Sequence, residues 1–269
     1  MIFIISGNGR RSSDRRRETD ERGAEENKVR RYRGSFFAAV IWLLLWQLLA
    51  RTVSNPFLLA GPLETGRALG RMAVTASFWQ ALSASFLRMF GGFLAGTLLA
   101  FSAAALAYRK AGLRVLLSPF VLCVKSVPVA SFIILILIWA GSRYVALWIS
   151  AVICFPVVYL NTLSGLLATE QTLLETAALF RLRFRDRIAA LYLPQLRPFF
   201  GSALSVACGM SFKAGVAAEV IGQPLCSIGN GIYRAKIYLE TADIFAWTAA
   251  VVLLSWLSER LVRRVLALL

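Results

Sequence analysis

Residues 144–169 read YVALWISAVICFPVVYLNTLSGLLAT, 26 positions without a charged side chain. A helix rises about 1.5 Å per residue, so this run reaches about 39 Å, more than the ~30 Å of hydrocarbon in a bilayer. Working outward, uncharged intervals recur at 34–50, 89–108, 126–142, 198–212 and 244–258. The run 89–108 is long enough by itself, while 34–50 and 126–142 sit at the lower limit. The last two cross only if neighbouring charges are tolerated. Arg88, Arg260 and Arg263 meet that need by snorkelling, with their stems along the helix and their heads at the interface. The expectation is an all-α polytopic membrane bundle of about six transmembrane helices. Composition agrees: 58% of the 269 residues are hydrophobic and 16% are charged, where a soluble domain carries nearer a quarter charged.

The net charge of +16 raises the question of a nucleic-acid partner, and the placement of the charges answers it. With six spans and a cytoplasmic N-terminus, 21 Lys and Arg fall in inner segments and six in outer loops. That asymmetry is the positive-inside bias; it puts both termini in the cytoplasm and removes any need for nucleic acid. Residues 1–34 hold ten of the inner cations among mixed acidic residues, and read as a disordered basic cytoplasmic extension. The membrane-spanning body is then 35–269. Residues 63–80 read as an amphipathic outer helix leading into the second span.

The chain has no histidine, and its four cysteines, Cys123, Cys154, Cys208 and Cys226, are scattered without a C-x-x-C. Neither a metal site, a disulfide framework nor a serine–histidine intramembrane protease is indicated. No span holds the two aspartates that an aspartyl protease needs. No cofactor is expected, nor any enzymatic activity of the chain itself.

Inside the apolar runs three features stand out. Gly92-x-x-x-Gly96 lets two helices approach closely. Pro128 and Pro156 each remove a backbone hydrogen bond and kink a span; such interruptions often flank a water-filled path, where Pro128 is expected. Lys125, Lys213 and Glu219 place charges where a central one costs at least ~2.5–3.5 kcal/mol, so they face protein or a water-filled path. Lys213 and Glu219 are six apart, about 120° around a helix, and do not share a face. Glu219 with Lys125 of a neighbouring span is the pair favoured on sign; contact with an anionic solute and snorkelling stay open.

Residues 170–197, between the fourth and fifth spans, form a half-apolar inner segment. One amphipathic helix runs through Glu170–Arg181, and a second short one ends at Pro194. Such a segment suits docking against a soluble partner. It resembles the cytoplasmic E-A-A loop of binding-protein-dependent ABC importer permeases. Glu175, Thr176 and Ala177 stand at E-A-A, Arg181 at the glycine, Leu191 at the isoleucine, and Leu193-Pro194 at L-P, with the spacing intact. Thr176, Arg181 and Leu191 depart from the pattern. The resemblance extends over about 55–265 and is closest to the nitrate/sulfonate/taurine branch, through Asn55-Pro56, Phe155-Pro156 and Phe212-Lys213 to Glu219.

What the resemblance implies is a homodimeric permease in the cytoplasmic membrane. It binds two copies of an ATPase inside and receives cargo from an extracytoplasmic substrate-binding protein, for a small anionic or sulfonate/nitrate-like solute. The E-A-A residues would seat in the ATPase. The chain has no G-x-x-x-x-G-K-[ST], so ATP would be bound by the partner. A membrane capture subunit of the energy-coupling-factor kind also has about six helices, but has no use for the Glu175–Pro194 segment.

Overall fold

In lipid the backbone satisfies its hydrogen bonds either in a helix or in a closed barrel, and long uncharged runs of alanine, leucine and phenylalanine, without the alternation of barrel strands, suit the helix. The computed structural model describes residues 37–53, 58–169, 179, 180, 183, 186 and 193–268. Every regular element among them is helical: α1 (Phe37–Val53), α2 (Pro62–Ala73), α3 (Ala76–Arg109), α4 (Ala111–Ser126), α5 (Val129–Leu167), α6 (Leu193–Gly222), α7 (Ile228–Ile237) and α8 (Thr241–Leu268). The basic extension 1–34 lies outside the described residues.

The chain divides into two units, Met1–Glu64 and Thr65–Leu269. In the first, α1 is apolar but short, and the amide of Leu63 donates to Oε1 of Gln47 at 3.5 Å. Pro62 opens α2, where a missing N–H costs nothing, and Glu64 in its first turn accepts from Gly61 N at 3.2 Å.

In the second unit four helices are long and apolar enough to cross a membrane: Ala76–Arg109, Val129–Leu167, Pro194–Gly222 and Thr241–Leu266. Val129–Leu167 is two helices end to end. Gly141 has φ 71 and ψ 171, a backbone state that only glycine adopts freely. Splitting α5 there, and adding α1, leaves six apolar segments among the described residues, of which α1 and Val129–Ala140 are short. Large apolar side chains stay exposed along them, including Trp42, Leu87, Leu98, Ile138 and Trp139, the surface a lipid-facing bundle presents.

Boundaries differ from the sequence expectation wherever charge was used to end a span. α3 begins at Ala76, running through Arg88. α6 reaches Gly222, carrying both Lys213 and Glu219. The outer helix expected over 63–80 stops at Ala73, and α3 starts after Val74-Thr75. The expected third span, 126–142, begins too late. Its apolar character continues back through Lys125 into α4, and the helix is interrupted at Val127-Pro128, both extended (ψ 135 and 133). Val129–Ala140 alone is about 18 Å long, too short to cross. Pro128 therefore separates two helices; it does not kink one, because the residue before a proline is driven out of the α region. Pro156 does lie within α5.

α3, α5 and α6 form the packed centre. Gly92 and Gly96 lay α3 on α5: a Cβ on Gly92 would stand 2.1 Å from the Leu147 carbonyl oxygen, and one on Gly96 2.5 Å from that of Ala151. The sequence motif is thus a helix-contact face. Between α5 and α6, Ser150 Oγ donates to the Ser211 carbonyl at 3.0 Å, and Ser211 Oγ donates to the Ser150 carbonyl at 3.1 Å. Both serines are fully buried. Around this clasp one cluster joins Met89, Phe93, Cys154, Val158, Phe212 and Val262 from α3, α5, α6 and α8. A second joins Ile133 in the first half of α5 to Val145, Ile149 and Ala218.

Candidate functional site

Two arrangements of charge sit in this frame. The first is a cavity of about 670 Å³ between α4, both halves of α5, and α6. Its wall includes the α4–α5 break at Val127, the helix proline Pro156, Asn161 and the side chains of Lys125 and Lys213. Lys125 stands in the last turn of α4, where the free carbonyls of the helix end favour a cation. Lys213 comes from the middle of α6. Among the described residues no acid lines the cavity, and neither lysine makes a salt bridge. An interrupted helix at the wall of an aqueous cavity is where membrane proteins tolerate irregular backbone. Pro128, expected in the path, sets that interruption.

The second arrangement is a carboxylate latch. Glu219 is wholly buried near the end of α6. Its Oε2 accepts from Ser85 Oγ at 2.7 Å and from the Gly229 amide at 3.2 Å, and its Oε1 from the Arg88 guanidinium at 3.2 Å. Ser85 Oγ in turn accepts from the Ile228 amide at 2.9 Å, and Arg88 also donates to the Leu225 carbonyl at 3.4 Å. Together they bind α3 to the first turn of α7: the carboxylate satisfies the Gly229 amide, and Ser85 Oγ satisfies that of Ile228. The linking turn needs holding: Gln223 and Cys226 have φ 47 and 49, a left-handed conformation unfavourable without glycine.

The pairing of Glu219 with Lys125 expected from sign alone is therefore corrected to Glu219 with Arg88. Sequence reading set Arg88 aside as a snorkelling residue because it borders an apolar run. The ion pair has 18% exposure on the arginine side and none on the carboxylate. Ser85 and Gly229 were not singled out. The signal available was Arg88 itself, a cation inside a long apolar helix opposite an acid in another.

Gly229 fits the latch by close approach. A Cβ there would lie 2.3 Å from the Glu219 Cβ and 2.4 Å from its carbonyl carbon. Gly229→Ala is expected to cost about 1–3 kcal/mol through the shift forced on α7, read as a lowered Tm of the purified chain in detergent. Gly209→Ala, where a Cβ meets nothing within 4 Å, is the neutral control. Equal melting of the two variants would contradict the latch geometry.

Of the expected coupling residues, Glu175, Thr176, Ala177, Arg181 and Leu191 lie outside the described residues. Leu193 opens α6, and Pro194 follows as its second residue, exposed. The first-turn position accommodates proline without loss of a helical bond.

Comparison with known proteins places these features. The family described as binding-protein-dependent transport system inner membrane component matches residues 92–269. The chain is similar to the protein named as the aliphatic sulfonates transport permease protein SsuC of Bacillus subtilis (strain 168), 24% identical over 86% of this chain and 84% of the relative. It is similar to the taurine transport system permease protein TauC of Escherichia coli (strain K12), 22% identical over 82% of each. A bicarbonate transport system permease protein, CmpB of Synechococcus elongatus, is 24% identical over 70% of this chain and 64% of the relative. An ATPase and a substrate-binding protein are the partners that membership implies. The family is a transport component and not an enzyme, and the chain belongs to it: this is the multi-pass membrane permease subunit of an ABC importer.

Proposed function

We propose that the chain works as a homodimer with two ATPase copies and passes a small anionic solute, sulfonate- or nitrate-like, into the cytoplasm. The observation that carries the choice of solute is the cavity at the α4–α5 break, walled by two lysines and no acid. The names of the relatives, which transport sulfonates, taurine and bicarbonate, support the same class. Both termini are cytoplasmic on this reading, from the 21-to-6 distribution of Lys and Arg. ATP stays on the partner, and the chain carries no cofactor of its own.

The coupling residues are Glu175, Thr176, Ala177, Arg181, Leu191, Leu193 and Pro194. Ala177 is small because the ATPase approaches closely, and Glu175 supplies a carboxylate for hydrogen bonds across the contact. Ala177→Trp overfills a packed interface but scarcely alters an exposed surface. Ala177→Trp and Glu175→Lys are expected to insert normally, lose co-purification of the ATPase and abolish uptake of ethanesulfonate or nitrate. Wild-type association and uptake in both would refute the coupling assignment. Orientation has its own check: thiol labelling of sealed cells is expected at substituted positions Arg67 and Tyr233 and not at Arg183. The reverse pattern would invert the topology.

A further inference from the structure

We propose that Lys125 and Lys213 form a holding site for a small monoanion within this subunit, and that Lys213 passes it from the cavity into a second groove along α6. The proposal rests on the importer reading above and adds to it a selective step located in the permease itself.

The second groove, about 710 Å³, lies between α6 and α8 and shares Met210 and Lys213 with the first cavity. Along α6 its floor is Gly201, Ser205 and Gly209, followed by Lys213. Successive members are four residues apart, each about 40° past a full turn, so they form a stripe that winds about 120° around α6. A Cβ on Gly201 or Gly209 would meet nothing within 4 Å, so the stripe is open at those two positions. The groove's single acid, Glu259, is engaged by Arg263, whose Nε also donates to Ser205 Oγ at 3.0 Å. Lys213 is thus the cation common to both spaces, and no carboxylate among the described residues neutralises it.

A charge held in a membrane-spanning element demands compensation. The α4 terminus offers some to Lys125, but Lys213 sits mid-helix, where every carbonyl is already bonded. Two cations on one cavity wall repel each other, and an anion between these two exposed side chains relieves that repulsion beside a partly apolar wall. The remaining wall, including Val127, Val129, Ile153 and Leu160, is apolar. The matching ligand has one small anionic head, either an inorganic oxyanion or an organic acid with a short apolar body.

The test uses the full chain in neutral phosphatidylcholine nanodiscs, with the exposed Cys123 and Cys226 changed to alanine; Cys154 and Cys208 are buried. Ala217→Cys supplies a reporter, since Ala217 is exposed on the cavity wall one turn beyond Lys213. Its rates of modification by the anionic sulfonatoethyl and cationic trimethylammonioethyl methanethiosulfonates are compared. The anionic reagent is expected to be favoured about tenfold or more, and Lys125→Gln or Lys213→Gln each to cut that ratio severalfold. Lys213→Arg is expected to preserve it, which separates loss of charge from misfolding. Nitrate and ethanesulfonate are then added as probes, with choline as control. Protection by either anion supports the site, and the better protector tells inorganic from organic head groups. A ratio near one, a ratio indifferent to both lysines, or no protection by either anion would overturn the proposal. None of these readouts needs the ATPase, so their failure leaves the importer reading standing, whereas that reading falls on the association assay.

Discussion

Glu219→Ala is expected to lower the stability of the folded chain by about 3–5 kcal/mol, the cost of removing one partner from a buried charge pair. Three groups lose their acceptor together: the Arg88 guanidinium, Ser85 Oγ and the Gly229 amide. The helix start at α7 then has unsatisfied donors, and Arg88 remains a cation between α3 and α6 with only the Leu225 carbonyl in reach. Arg88→Ala costs somewhat less, because Glu219 keeps two neutral donors. The double variant Arg88→Met, Glu219→Met is expected to recover a good part of the summed loss. Thermal unfolding of the purified chain, backed by folded yield from gel filtration, measures all three. Strict additivity of the single losses would break the pairing. Lys125→Met serves as the contrast: lying on the cavity and outside the latch, it is expected to change stability by less than about 0.5 kcal/mol.

The second large effect comes from adjacent glycines with opposite fates. Gly92→Ala is expected to destabilise by about 3 kcal/mol, at the upper end of overpacking costs, because the new methyl runs into the Leu147 carbonyl oxygen at 2.1 Å. A backbone oxygen inside a helix cannot swing aside as a side chain can, so α3 and α5 must separate along the whole contact. Gly91→Ala meets nothing within 4 Å and gains helix propensity of up to about 1 kcal/mol. Melting temperatures of the two should therefore diverge in opposite directions. A matched pair of small losses would mean that α3 does not seat on α5 through this face.

The six apolar segments were legible because their signal is length and lack of charge, properties of a contiguous string. Gly92 and Gly96 were legible as well, since i, i+4 spacing fixes a common face before any partner is known. The pairing of Glu219 was not. Which cation meets a buried acid depends on helix rotation and tilt, and the string offers Lys125 and Arg88 on nearly equal terms. The sequence reading set Arg88 aside as a snorkelling residue, paired Glu219 with Lys125 on sign alone, and so missed the cation that shares the carboxylate with Ser85. The third span slipped for a related reason. A lysine was treated as a stop, whereas the backbone stops at Val127-Pro128 and the lysine belongs to the cavity beside it. Glu175, Thr176, Ala177, Arg181 and Leu191 were read by pattern alone and lie outside the described residues, whereas Leu193 and Pro194 open α6.

The crossed serine bonds of Ser150 and Ser211 carry a mechanical consequence. Each serine both gives and receives, so sliding α5 past α6 would sever two bonds together, in a place where no water waits to replace them. In the chain, residues 168–192 lie between α5 and α6. Under the coupling role proposed for them, a thrust delivered there would reach two beams already riveted at mid-length. Slack in that stroke is left to the two places where the helical path breaks, Val127-Pro128 and Gly141.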